Sequence, residues 1–204
     1  MPDSFFKLLK SEKPLSIAGA INPFAALLAK KSGIKALYIS GAGVANASYG
    51  LPDLALTSLD NVLEDLRRIR GISDLPVLVD CDTGWGSGLN ISKTTKEMIS
   101  AGATGIHIED QVSEKRCGHR PNKEIVSKNE MCDRIKASRD SVDNEDFMLM
   151  ARTDSFAKEG INGVIDRANQ YVDAGANALF PEAIRTLEDY KILCDAINVP
   201  VLAN

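Results

Sequence analysis

The chain has 204 residues, a formal net charge of -4, 44% apolar residues and 5% aromatic ones. That length can bury a full core as one domain over residues 1–204, and the acidic balance argues against a nucleic-acid or anionic-membrane surface. No apolar run approaches the ~20 residues of a membrane span. The charged start MPDSFFKLLKSEKPL lacks a signal-peptide core, and four cysteines without a CxxC pair read as free thiols of a reduced, cytoplasmic protein.

In chain order, residues 15–20 form a short apolar strand, and Asn22-Pro23 starts a helix that runs to residue 31. A second strand, 36–40, enters the small-residue loop Ser40-Gly41-Ala42-Gly43. A helix over 59–70 follows the candidate caps Thr57 and Ser58. Strand 77–79, helix 91–101 and strand 106–108 come next, then a helix over 127–138 with a capping-box pattern at Ser127 and Glu130. Strand 147–151, helix 161–174 stopped by Gly175, strand 178–180, helix 186–197 and strand 199–203 complete the alternation. Regular alternation predicts an α/β fold with a parallel sheet, either doubly wound or closed as a barrel. No GxGxxG follows the first strand, and polar groups stand after nearly every strand, which favours the (β/α)8 TIM-type barrel. Seven strands do not close eight, so a barrel lacking its last strand is expected.

The chemistry concentrates in residues 76–120. Asp80 and Asp82, at i and i+2, would point to one side of a strand, roughly 6–7 Å apart at Cα. Two such carboxylates can share one hard cation, as Mg²⁺ prefers. The competing reading makes Asp82 a helix cap. Glu109 and Asp110 end the neighbouring strand and could support the site, with a surface salt bridge as the alternative for Asp110. Lys115, Arg116, His119 and Arg120 flank Cys117, with Gly118 free to approach a ligand closely. Cations around a thiol favour its thiolate and suit it to proton transfer. Zinc at Cys117 and His119 is the weaker reading, because no second ligand pair has the right spacing. Cys81, Cys132 and Cys194 read as packing residues. The polar segment 113–123 is expected to be an open lid that orders over a bound dicarboxylate.

Seven motifs carry a resemblance: SGAG (40–43), VDCDTGWG (79–86), IHIEDQ (106–111), KRCGHRPNK (115–123), MARTD (150–154), FPEA (180–183) and VLAN (201–204). The sequence resembles the isocitrate lyase/phosphoenolpyruvate mutase superfamily over nearly its whole length, and KRCGH with Arg116 resembles its methylisocitrate branch. The resemblance implies a Mg²⁺-dependent carbon–carbon lyase of propionate catabolism. It would cleave a 2-hydroxy tricarboxylate to pyruvate and succinate, with Mg²⁺ near Asp80, Asp82 and Glu109. Cys117 would be the proton donor and Arg152 a source of positive charge, with His119 also catalytic and Tyr38 a base or hydrogen-bonding group. Ser40, Gly41 and Ala42 would hold the keto-acid carboxylate, and Asp53, Gly118, Glu182 and Asn204 would complete the substrate contacts. Relatives acting on oxaloacetate, isocitrate or a phosphonate, or a non-catalytic barrel fragment, are the alternatives. The family also implies further C-terminal helices and a homotetramer.

Overall fold

A computed structural model describes residues 4–204. Six strands form one parallel sheet in chain order: β1 (Ile17–Gly19), β2 (Ala36–Ile39), β3 (Val77–Asp80), β4 (Gly105–Glu109), β5 (Met148–Thr153) and β6 (Ala178–Pro181). The sheet curls into an incomplete barrel. Along each central strand, alternate side chains face opposite sides, and both sides are apolar because both are covered. Leu37, Val79, Ile106, Ile108, Leu149 and Leu179 join the outer core against the helices. Leu78, Met148, Met150, Ala178 and Phe180 join an inner core.

The outer helices follow the strands that precede them: α2 (Pro23–Lys31), α4 (Leu59–Arg70), α5 (Gly88–Ser100), α6 (Lys128–Arg139), α7 (Phe156–Asp173) and α8 (Leu187–Ala196). Asn22 caps α2 by accepting from the Ala25 N–H, and Pro23 stands in its first turn, where its missing donor costs nothing. Among the described residues, no helix is long and apolar enough to cross a membrane.

Five local differences from the sequence reading have physical causes. The charged N-terminal stretch contains α1 (Phe5–Ser11), capped by Ser4, whose Phe5 is fully buried in the inner core. Ser40-Gly41-Ala42-Gly43 is not a loop. Ser40 caps a short helical turn, α3 (Gly41–Gly43), which widens into a π-helix at Val44–Ser48. Ser127 caps its helix by accepting the Glu130 N–H at 3.2 Å, but only half of the expected box forms there, because the Glu130 side chain pairs forward with Arg134 at 2.7 Å; the full box is at Ser58 and Asn61. The seventh strand is reduced to one parallel bridge, Leu179 to Val201. Cys194 is exposed on α8, so it is not a packing residue.

Candidate active site

The sheet's parallel register brings acidic and basic groups to one end of the half-barrel. Asp80 is paired with His107, Glu109 with Arg152, and Arg152 with Phe180, so these side chains share the inner face. Asp82 is not on the strand as expected. Strand β3 ends at Asp80, and Asp82 has φ 47°, in the left-handed region that Asp tolerates better than most residues. The turn still folds it back, and ligand atoms of Asp80, Asp82 and Glu109 lie within 4.8 Å of one another, all three residues buried. The nearby helix has Ser87, not Asp82, at its N-cap position, which removes the helix-cap reading of Asp82.

Three buried carboxylates at such range repel, so their charges must be met. Asp80 accepts the N–H groups of Gly41 and Asp82, each at 3.0 Å. Burial alone would raise its pKa, but His107, Lys115, Arg152 and the Asp82 N–H together hold it well below the usual carboxylate range. Asp82 moves the other way, pushed up to about 6 by burial and by the Asp80 charge, with Lys115 opposing. Glu109 is raised well above its ordinary value by burial, against Arg152. Neither Glu109 oxygen has a hydrogen-bond partner among the described residues, although Oε2 lies 3.3 Å from Arg152 Nε. A buried carboxylate lacking hydrogen bonds, beside two others, is a donor set made for a cation. All-oxygen ligands select a hard divalent ion. The residues fit a metal.

Lys115 Nζ bridges Asp53 at 2.7 Å and Asp82 at 2.6 Å. Arg152 joins Glu109, Asp154 at 3.0 Å and Glu182 at 3.2 Å, with its guanidinium 5.1 Å from the Phe180 ring centre. His119 Nε2 stands 3.1 Å from Glu182 Oε1 and 3.5 Å from Asn204 Nδ2. Lys115 and His119 are therefore matched to carboxylates distant in sequence and do not turn to Cys117 as expected. Nor is the loop open. Gly118 is buried, and a Cβ there would lie 2.3 Å from Glu182 Cγ and 2.5 Å from Arg152 Nη2, a space only glycine fits. Lys123 secures the far end of the loop, donating to the Gly118 carbonyl and to Asp154 at 2.9 Å. At the near end, Gln111 accepts the Arg116 N–H at 3.0 Å and donates to the Arg116 carbonyl at 2.9 Å. A bridge between Gln111 and Ile125 closes the loop's base.

A cavity of about 770 Å³ opens beside these groups, and Tyr38, Ser40, Ala42, Asp53 and Asp80 are among the residues that line it. Cys117, Gly118, His119, Arg152, Glu182 and Asn204 line it too. The Gly41 N–H is committed to Asp80, so it is not a free donor for a substrate carboxylate. Its Cβ position would meet Asp82 Oδ1 at 3.0 Å and Asp80 Oδ2 at 3.1 Å, which explains why a glycine stands there.

Asp110 belongs elsewhere. It is fully buried and accepts from Thr153 Oγ1 (2.7 Å), the Asp154 N–H (2.9 Å), the Tyr171 hydroxyl (2.8 Å) and Arg167 Nη1 (3.3 Å). That network ties β4, β5 and α7 together and replaces the surface salt bridge considered above. Asp110→Asn leaves a buried guanidinium short of its partner and is expected to cost about 3 kcal/mol. Urea unfolding should show a lower midpoint at unchanged m. An unchanged midpoint would remove the network from the account of stability.

Sequence reading missed His107, Lys123 and Gln111 as site residues. For His107 a signal existed: counting back two from Glu109 along a strand puts it on the same inner face. Gln111 acts on the backbone of Arg116, and Lys123 on the Gly118 carbonyl and on Asp154 from a distant strand end, which no residue pattern marks.

Comparison with known proteins agrees with this geometry. A family model described as phosphoenolpyruvate phosphomutase matches residues 5–204. The 2-methylisocitrate lyase of Escherichia coli (strain K12) is 55% identical over 202 residues, 98% of this chain and 68% of that protein. A solved structure of oxaloacetate acetylhydrolase with the inhibitor 3,3-difluorooxalacetate superposes with a TM-score of 0.89 at 32% identity, covering 95% of this chain and 67% of that one. One of 2,3-dimethylmalate lyase gives 0.88 at 32% identity, covering 98% and 69%.

Proposed function

The chain belongs to the phosphoenolpyruvate phosphomutase family, and on that premise we propose that it is a carbon–carbon lyase splitting 2-methylisocitrate into pyruvate and succinate. The observation that carries this reading is the buried Asp80, Asp82 and Glu109 triad, whose Asp80 lines the same cavity as the Cys117 thiol and the Arg152 guanidinium. The same reading makes it a cytoplasmic enzyme of propionate catabolism that works as a homo-oligomer.

Asp80, Asp82 and Glu109 would hold Mg²⁺, which when bound supplies positive charge to the keto-acid oxygens. Cleavage passes the hydroxyl proton to solvent water, from which the Cys117 thiol is later restored, and leaves the bonding electrons on the carbon that becomes part of succinate. That carbanion is delocalised into its own carboxylate and needs fixed positive charge. Arg152, held by Glu109, Asp154 and Glu182, is positioned to provide it without reorganising. Cys117, beside the buried Gly118, gives the carbon its proton. His119, Glu182 and Asn204 line the cavity and would meet the distal carboxylates, and Ser40 and Ala42, which line it too, would meet the keto-acid end. Lys115 keeps Asp82 ionised while it spans to Asp53.

The test is keto-acid release from 2-methylisocitrate, isocitrate, oxaloacetate, 2,3-dimethylmalate and a phosphonate, each with Mg²⁺. The highest kcat/KM is expected with 2-methylisocitrate, yielding pyruvate and succinate in equal amounts. Preference for another acid would move the assignment within the family; no release from any would remove it.

The metal makes a separate prediction. Glu109→Gln keeps shape while removing a carboxylate that lacks a hydrogen bond and meets only Arg152, which Asp154 and Glu182 also hold. Without metal, the variant should be about as stable as the parent. Stabilisation by added Mg²⁺, about 2.7 kcal/mol at a hundredfold excess over Kd in the parent, should largely vanish. A thermal-shift titration reads this independently of activity. Full Mg²⁺ stabilisation of Glu109→Gln would take Glu109 out of the ligand set.

A further inference from the structure

His107 is a buried, hydrogen-bonded imidazole that no step above uses. It lies on β4 in register with Asp80 and Met150, facing inward, and is fully buried. Its Nε2 is 2.8 Å from the Tyr38 hydroxyl. The ring stacks on Tyr38 at 5.7 Å between centres and 26° between planes, and meets the Phe180 ring edge-on at 5.4 Å. These contacts leave the imidazole one orientation. Nδ1 has no hydrogen-bond partner among the described residues. The Asp80 carboxylate lies on the Nε2 side, with Oδ1 at 3.7 Å.

A neutral imidazole carries one proton, and the two nitrogens here are not equivalent. A proton on Nδ1 would bury an N–H with no acceptor, which native structures rarely tolerate. A proton on Nε2 has the Tyr38 oxygen as acceptor and leaves only a lone pair unmatched. The partner of one nitrogen thus selects the tautomer. We infer that His107 carries its proton on Nε2 and donates it to the Tyr38 oxygen, making His107 a positioning residue and Tyr38 a hydrogen-bond donor to the substrate, not a base. With its oxygen already accepting from His107, Tyr38 must send its own proton elsewhere. Asp80 Oδ2 is 3.5 Å away, a long contact, and that oxygen already accepts the Gly41 N–H at 3.0 Å. The open direction is the cavity, which Tyr38 lines. There the O–H meets a ligand oxygen, which in the proposed reaction is the one that becomes the carbonyl.

The inference rests on the proposed reaction only for its kinetic arm; the tautomer is measurable without it. The chain has two histidines, so a long-range ¹H–¹⁵N correlation spectrum of the ¹⁵N-histidine protein resolves both rings, and His119→Gln assigns the remaining set to His107. The Nε2–H pattern is expected. An Nδ1–H pattern, or a ring protonated at both nitrogens, overturns the inference whatever the substrate proves to be.

The kinetic arm uses two replacements. His107→Phe keeps a ring in the stack but removes the donor, and should lower kcat by about 10- to 100-fold with little change in KM, the scale of a misplaced catalytic group. His107→Gln places an amide N–H near the Nε2 position and should recover much of that loss. In a Tyr38→Phe background the His107→Phe change should add no more than about twofold, since the two act as one unit. Additive losses, or equal losses from Phe and Gln, would assign His107 to packing alone and overturn the positioning role.

Discussion

Cys117→Ser is expected to lower kcat by about 10²- to 10⁴-fold, the range a positioned general acid contributes, while binding of Mg²⁺ and substrate stays nearly intact. A lyase that breaks a C–C bond next to a carboxylate presents no acyl or phosphoryl centre for a thiolate to attack. The carbon left with the bonding electrons must gain a proton. Serine matches cysteine in shape but is a far weaker acid, so the loss falls on the transition state and not on the bound ground state. In D₂O, the parent should place one deuterium in succinate, and the variant should form neither labelled nor unlabelled succinate at a comparable rate. Near-normal turnover by Cys117→Ser would sink the acid assignment and turn attention to the other cavity-lining groups.

The second large effect should come from one methyl group at Gly118. The built Cβ would stand 2.3 Å from Glu182 Cγ and 2.5 Å from Arg152 Nη2, so the side chains or the loop must move. Arg152 cannot yield cheaply, because Glu109, Asp154 and Glu182 all hold it. The loop is the softer partner, tethered by Lys123 to the Gly118 carbonyl itself. Gly118→Ala should therefore wedge residue 118 off Glu182 and Arg152 and tilt the adjoining Cys117 out of line, a local distortion distinct from a rotation of the whole loop. Stability should fall by only about 1–3 kcal/mol, as overpacking typically costs, while kcat/KM falls by about 10²-fold or more from misplacement of the acid. Thermal unfolding and steady-state rates on the same preparation separate the two. A Gly118→Ala protein with ordinary kcat/KM would mean that the loop does not occupy this position during turnover.

How far the site could be read without coordinates depended on whether a residue's neighbour lay along its own strand. Asp80, Glu109, Arg152 and Glu182 were readable because parallel strands put their C-terminal ends at one edge and a two-residue period fixes the face. The helix at Leu59–Arg70 was readable to its ends from its caps and apolar spacing. Asp82 was right in kind and wrong in geometry, since nothing local announces that the chain turns left-handed there. The charges around Cys117 misled for a different reason. Lys115, His119 and Lys123 find their partners in Asp53, Glu182 and Asp154, and such long-range pairing is invisible in one sequence. Phe5 was hidden by the charge of its own helix, which carries Lys7 and Lys10 within α1. The last strand had the composition of a strand but makes only one bridge.

The amide clamp of Gln111 on Arg116 sets where the loop can pivot. Both backbone groups of Arg116 are tied to the strand end, and the bridge at Ile125 fixes the return. An opening movement is then a rotation about an axis passing close to Arg116. Displacement in a rotation grows with distance from the axis, so Cys117, next to the pivot, would travel least. Gly118 to Pro121 would sweep furthest and clear the mouth. Such a hinge admits and releases carboxylates while the acid keeps nearly the same station over the reacting carbon, so each closure restores a geometry that was scarcely lost. The radius of the swing, and with it the size of acid that can enter, is set by the residues between Cys117 and Lys123, making that short span the place where lengthening or shortening the chain would retune which substrates gain entry.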